Sequence, residues 1–303
     1  MVYDIVTFGS AVVDVFVNST KFDFKSDSFV YKSGSKNLVS SLREDIGGGS
    51  INTSVAFSRL GFNVGCICKV GDDGDGKTIL ELLKKENVKF LGIVSKGVKS
   101  GHSVILDYPG RDRAILKYNG PCSDIYYRTL PKFKTRWLYF SSLAGNACGA
   151  QETLARKMTK LGVKLAFNPS EYLIKRIDIS KVLKMTDVLV LNKEEAIAIV
   201  RKYKRRGDLI ESLLSLGPKI VVITDGPRVV HATDGIKRYS IKPQKNIKIV
   251  ERTGSGDAFA SGFISGLMAN KTIDDSLKLG MKISKSVLSN FGARNKIPRM
   301  HVK

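Results

Sequence analysis

Acidic side chains are what this chain lacks most: across 303 residues, 28 Asp and Glu stand against 50 Lys and Arg, a formal net charge of +22 at pH 7. That surplus excludes a self-neutralised surface and raises the question of a polyanionic partner. The run Arg201-Lys202-Tyr203-Lys204-Arg205-Arg206 even interleaves an aromatic ring. It follows a helix-like stretch, however, where cations favour the negative end of the dipole and stay solvated, and the lysines are scattered over nearly every segment. The expectation is a solvated surface that draws small anionic substrates, with no specific nucleic acid as partner. Cysteine is also sparse. Cys66, Cys68, Cys122 and Cys148 offer no second close pair, which excludes a zinc spacing and leaves reduced packing residues. No stretch approaches the length of a membrane span, and Met1 to Ile5 lack the basic-then-apolar pattern of a secretion signal. The expected location is therefore cytoplasmic, with no membrane partner. Repeats and low-complexity linkers are missing as well. What is present is a 43% hydrophobic composition, enough for a large core without crosslinks.

Tyr3-Asp4-Ile5-Val6-Thr7-Phe8, closed by Gly9, has the pattern of a buried first strand. Alternation at Val13, Val15 and Val17, and a strand-like piece at Ser28 to Lys32, predict half-exposed strands outside the main core. Ser103 to Asp107 and Arg113 to Lys117 flank Tyr108-Pro109-Gly110-Arg111-Asp112 as a hairpin. A small separate sheet, drawn from about 12–41 and 99–118, is expected to act as a lid. From Trp137 the chain turns rhythmic: strands at 137–141, 163–167, 187–191 and 219–224 alternate with helical stretches, the pattern of a parallel α/β layer. Short strands at 229–232 and 237–241 and helices at about 255–269 and 273–291 finish the chain. The turns Asn168-Pro169-Ser170, Asn192-Lys193-Glu194-Glu195 and Thr224-Asp225-Gly226 follow strands and should border one crevice, because ligands of such sheets bind at the strands' carboxyl ends.

Three glycine-bearing turns are candidates for the chemistry. Glu251-Arg252-Thr253-Gly254-Ser255-Gly256-Asp257 runs into an apolar helix pattern, so bare N–H groups and a helix dipole meet as a cradle for phosphate. Asp257, in the first turn, is either an ordinary capping carboxylate or the acceptor for a proton from an attacking hydroxyl. Gly47-Gly48-Gly49 opens another helix and implies close approach of the backbone, to a ligand or to another segment. Gly71 to Thr78 matches the literal P-loop pattern between a strand and a helix. Its Asp72, Asp73 and Asp75 would face the phosphates, at a cost of roughly several kcal/mol in a partly dry site, so a solvated turn is expected instead.

Together these motifs make the chain resemble the ribokinase (PfkB) family of carbohydrate and nucleoside kinases over nearly its whole length. Gly47 to Thr53 is similar to the family's first signature, Thr253 to Phe259 to its second, and Asn192-Lys193-Glu194-Glu195 to its Asn-x-x-Glu element; Val70-Gly71-Asp72-Asp73 also fits a family pattern. The resemblance implies one ribokinase-like domain over 1–303: a three-layer α/β/α core with a mostly parallel sheet and a small β-sheet lid. It implies an ATP- and Mg²⁺-dependent kinase that phosphorylates a primary hydroxyl of a sugar, or alternatively of a nucleoside; a basic nucleic-acid-binding protein is the distant alternative. In that reading Asp257 is the base, and Gly254, Ser255 and Gly256 form the anion hole. Asp14, Gly48 and Asn52 bind the acceptor, while Asn192, Thr224 and Gly226 contact the nucleotide. Glu195 serves Mg²⁺ through water. Glu251 stands where the family often has an Asp that helps bind a monovalent cation, so its extra methylene puts that cation in question, although Gly292-Ala293 matches the cation-flanking turn. Pro227 removes one N–H from the nucleotide side. Arg111, Arg113 and Lys117 could pair the phosphate of an already phosphorylated acceptor. Family members often dimerise through the lid, which makes a homodimer the expected assembly.

Overall fold

A computed structural model describes residues 2–19, 23–26, 28–107, 113–244 and 249–302. Its strands are β1 (Val2–Phe8), β2 (Val12–Asn18), β3 (Asp23–Lys25), β4 (Ser28–Val30), β5 (Ser41–Gly47), β6 (Val64–Ile67), β7 (Lys69–Gly71), β8 (Val88–Phe90), β9 (Ile93–Ser95), β10 (Gly101–Asp107), β11 (Ala114–Tyr118), β12 (Lys134–Ser141), β13 (Lys164–Asn168), β14 (Val188–Asn192), β15 (Ile220–Thr224), β16 (Val230–Thr233) and β17 (Arg238–Ile241). The helices are α1 (Gly49–Arg59), α2 (Gly74–Lys85), α3 (Asn146–Thr159), α4 (Glu171–Arg176), α5 (Ser180–Lys184), α6 (Lys193–Lys202), α7 (Leu209–Leu214), α8 (Ser255–Met268) and α9 (Ile273–Leu288).

Nine strands form one sheet in the order β17-β16-β15-β14-β13-β12-β1-β6-β8. Pairing is parallel from β8 through β15, and antiparallel only where β16 and β17 extend the edge. The strand interiors explain this. Val188-Leu189-Val190-Leu191 and Val221-Val222 are unbroken apolar runs, all buried, as a sheet covered on both faces requires. Helix α8 packs on both α1 and α9, and α1 on β1 and β6, whereas α3, α6 and α7 pack on β13, β14 and β15. Two-sided burial of the strands places these groups on opposite faces, so the α/β/α layering predicted from the sequence is what is found. The aromatic rings of Phe8 and Phe140 meet edge to face in the middle of the core, 5.8 Å apart. Cys66, Cys68 and Cys122 are buried and Cys148 half-buried, all as free thiols.

A second sheet has the order β11-β10-β2-β5, with β2 and β10 parallel. Its fourth strand lies beyond the 12–41 range expected from sequence. Ser28–Val30 instead pairs with Asp23–Lys25 in a separate ribbon. The reason is visible in Ser41-Leu42-Arg43-Glu44-Asp45-Ile46-Gly47, whose first four residues are exposed and whose charges hide the alternation of a strand. The turn Tyr108 to Asp112, with Arg111, lies outside the described residues. Residues 9–11 lead from the carboxyl end of β1 directly into β2, and β5 leads directly into α1, so this sheet stands over the carboxyl edge of the large one. Along that edge Ser141 is level with Asn168, and Asn192 with Thr224.

Candidate active site

Helix α8 begins without a side-chain cap. Gly254, in the left-handed region at φ 76°, turns the chain into it, and a β-carbon there would fall 2.4 Å from that of Ala293. Only glycine fits such a turn. An uncapped start leaves the first N–H groups of the helix without internal partners. Ser255 N–H donates to Arg252 O at 3.3 Å, while those of Gly254, Gly256 and Asp257 have no hydrogen-bond partner among the described residues. The open donors are thus Gly254, Gly256 and Asp257 itself, where the sequence pattern pointed to Gly254, Ser255 and Gly256. Backbone donors and the helix dipole together suit an anion.

Asp257 is half-buried, and burial pushes its carboxyl up to about 6; the hydrogen bond from Asn52 works against the rise and the charge of Asp14 adds to it. Asn52 Nδ2 donates to Asp257 Oδ2 at 2.9 Å. What brings helix α1 to this position is its glycine start. Gly48 has φ 97°, and a β-carbon on it would meet Ser10 O at 2.4 Å, while Gly47 and Gly49 crowd against Asp14 and Ser141. The three glycines therefore serve contact with neighbouring chain. Asp14 lies in a row across the second sheet, level with Ser103 and Asp45, and Ser103 in turn with Lys117. Its carboxyl is also pushed up to about 6, first by burial, with Ser103 and Arg294 opposing.

Arg294 was not singled out by sequence reasoning. It is only 5% exposed; Nη2 donates to Asp45 Oδ1 at 2.6 Å and Nη1 to Asn52 Oδ1 at 3.3 Å. A relay thus runs from Asp45 through Arg294 and Asn52 to Asp257. It fixes the orientation of the Asn52 amide, with oxygen toward the guanidinium and nitrogen toward the carboxylate. The one available sequence signal was an arginine directly after Gly292-Ala293.

Asn192 and Glu195 form a capping box at the start of α6: Glu195 N–H donates to Asn192 Oδ1 at 2.8 Å, and Asn192 N–H to Glu195 Oε2 at 2.9 Å. Burial lifts the Glu195 carboxyl to about 7, and the charges of Glu194 and Asp257 add to the rise. Thr224, Gly226 and Pro227 line a cavity of about 700 Å³ that reaches Ser255 and Gly256 of the cradle. Its remaining wall is largely apolar, with Ile249, Phe259, Met281 and Leu288. A planar base against that wall would leave its phosphates at the cradle. Glu251 lies just before the cradle with its carboxylate turned to Arg252, Thr253 and Arg113. In the loop Gly71 to Thr78, Asp73 caps α2 by accepting from Gly76 N–H at 2.9 Å, and Asp72 accepts from Gly97 N–H at 2.9 Å, so these carboxylates serve the turn and its neighbour.

A base candidate, an anion cradle and an apolar cavity thus stand together at the sheet's carboxyl edge, and residues 3–300 match the family described as pfkB family carbohydrate kinase. The chain belongs to the pfkB family. This pfkB kinase is therefore a phosphotransferase, and its relatives include a protein named ribokinase from Lactococcus lactis and one named cytidine kinase from Thermococcus kodakarensis. It is 27% identical over 250 residues to an uncharacterized sugar kinase of Archaeoglobus fulgidus, covering 81% of this chain and 99% of that protein. With the ATP-dependent 6-phosphofructokinase of Thermoanaerobacterium thermosaccharolyticum it shares 26% identity over 312 residues, 98% of this chain and 91% of the relative. The adenosine kinase structure from Sinorhizobium meliloti superimposes with a TM-score of 0.81 at 20% identity, covering 98% of each chain, which shows the shared fold. Among the described residues no helix is long and apolar enough to cross a membrane.

Proposed function

We propose that this pfkB kinase transfers a phosphoryl group from ATP to a primary hydroxyl of a sugar, with the second sheet as its lid. The observation that carries the reading is the 2.9 Å bond from Asn52 to Asp257, which holds a carboxylate in the same helical turn as the open N–H donors. Asp257 takes the proton of the attacking hydroxyl. The N–H groups of Gly254, Gly256 and Asp257 receive charge developing on the transferred group. Asp14 and Asn52 hold neighbouring hydroxyls, one accepting and the other both accepting and donating. Among the described residues no three His, Cys, Asp or Glu gather as metal ligands. That suits Mg²⁺, which keeps its waters and is held by one or two carboxylates plus substrate phosphates; Glu195, with Asn192 beside it, would hold it, and it would offset phosphate charge.

A sugar is favoured over a nucleoside by the packing of Phe16. Phe16, which shares the face of Asp14, is buried and packs on Phe291 at 4.9 Å, with Arg43 over the far ring, so it serves internal packing rather than an open wall for a base. The test is Mg·ATP turnover against free sugars, sugar phosphates and nucleosides, with products read by mass. Phosphorylated sugar is expected, and product from nucleosides alone would overturn the choice. Asp257→Asn should lower turnover by about two to four orders of magnitude with ATP binding retained. We further propose dimerisation through the outer face of the lid, where Leu42, Leu116 and Tyr118 are 59%, 63% and 53% exposed. Light scattering that gives a monomer mass at micromolar protein would reject it.

A further inference from the structure

The family resemblance puts a monovalent cation beside Glu251, and the donors around that carboxylate do not suit one. Glu251 Oε1 accepts from Arg252 N–H at 2.7 Å, from Thr253 N–H at 2.8 Å, from Thr253 Oγ1 at 2.8 Å and from Arg113 Nη1 at 3.2 Å. Four hydrogens converge on this one oxygen. A metal cation at that oxygen would face four positive ends of bonds, where it needs lone pairs. On the other side the Gly292-Ala293 turn packs directly on Gly254, with no room for even one added methyl group. Arg113 Nη1 also donates to Thr253 Oγ1 at 2.7 Å. The Glu251 side chain is only 12% exposed, so this pairing is screened far less than one at the open surface.

We propose that Arg113 takes the cation's place: its guanidinium neutralises Glu251 and pins Thr253, which makes turnover independent of potassium. The inference rests on the kinase reading above. Arg113 immediately precedes β11, an edge strand of the second sheet, and Thr253 immediately precedes Gly254 of the cradle. The same guanidinium that supplies the charge therefore ties the lid to the anion site, through a bond to Thr253 across 140 residues of sequence. A free cation could bind beside the cradle whatever the lid's position. A guanidinium carried on the lid is in place only while the lid stands over the cradle. Arg113 acts here as a positioning residue, through Glu251 and Thr253, without touching the transferred group.

The experiment uses the full chain with Mg·ATP and whichever acceptor is turned over, at constant ionic strength, in potassium chloride or choline chloride. Wild-type turnover should agree in the two salts within about two-fold, and Arg113→Met should lose about 10- to 100-fold in kcat with KM for ATP and acceptor little changed. Arg113→Lys should recover part of the loss. Melting temperature gives a readout independent of activity: for the wild type it should be the same in both salts. Potassium-specific activation or stabilisation of the wild type overturns the proposal, as does an Arg113→Met enzyme with full kcat. Should no acceptor be phosphorylated in either salt, the kinase reading is what falls, and equal melting temperatures would still exclude a potassium site at Glu251.

Discussion

Asp257 carries the argument at the scale of single residues, and its protonation is set by where it sits. Burial raises its carboxyl to about 6, so the base form prevails at pH 7 and disappears below 6. kcat/KM for the acceptor should therefore fall by at least about tenfold per unit as pH drops below that value, which a pH profile at subsaturating acceptor will read. The stability consequence has the opposite direction. A carboxyl whose pKa is higher in the folded chain than in the unfolded one favours folding at acid pH, and that contribution is lost as pH rises through the folded value. Asp14, near 6, and Glu195, near 7, share this sign. Asp257→Asn is accordingly expected to stabilise the substrate-free protein at pH 8 by about 1–3 kcal/mol and to change nothing at pH 3.5. Thermal denaturation at the two pH values checks it, and a variant less stable at pH 8 sinks the account. Arg294 gives the contrary case. It is buried and pairs with the half-buried Asp45, so Arg294→Met strands a partly desolvated carboxylate and should cost up to about 3–5 kcal/mol in urea denaturation. Adding Asp45→Leu should return part of that loss, since the stranded Asp45 charge, which also lies beside Asp14, is then gone.

Helix starts decide the site at the scale of elements, and two of them depend on left-handed glycines. At Gly48 the backbone has φ 97° and a β-carbon would strike Ser10 O at 2.4 Å, so Gly48→Ala combines dihedral strain with a clash against backbone. The expected loss is about 2–3 kcal/mol, with a fall in turnover as Asn52 shifts from Asp257. Gly235→Ala is the control, because φ is 83° there and nothing lies within 4 Å; its cost should be about 1 kcal/mol. Equal losses in the two variants would show that the clash at Ser10 is relieved by relaxation. These starts were legible in the sequence because a glycine turn before an apolar helix is a local pattern. The parallel layer from Trp137 onward stands where the residues placed it, and helix α8 begins at the expected glycine turn, with Ser255 N–H engaged by Arg252 O. Strand β5 was not legible, since Arg43, Glu44 and Asp45 break the apolar alternation of an edge strand. Nor were the contacts that complete the site, because Arg294 reaches Asn52 across 242 residues and Arg113 reaches Glu251 across 138. No periodicity encodes a pairing at that separation.

For the whole molecule the open question is what a net charge of +22 does. Some of its cations stand at helix ends: Arg156 and Lys157 close α3, Lys175 and Arg176 α4, Lys181 and Lys184 α5, Arg201 and Lys202 α6. In a parallel layer the helices run back to the strands' amino edge, so these ends lie away from the cradle. Several are already engaged locally. Lys202 Nζ donates to the carbonyls of Ile174 and Ile177, Lys181 pairs with Glu152, and Lys219 with Asp187. Cations that face helix dipoles and close loops act locally, which leaves them less suited to tracking a phosphate backbone than a continuous basic groove would be. Binding to single-stranded RNA should then be pure counterion release: measurable by fluorescence anisotropy at low salt, falling steeply, and weaker than about 10⁻⁶ M at physiological ionic strength. Sub-micromolar binding that persists there would require a built nucleic-acid site and would revive that reading of the basic surface. If binding fades as expected, the amino edge is a solvated face, and what the chain does is set at the opposite edge by Asp257 and the cradle beside it.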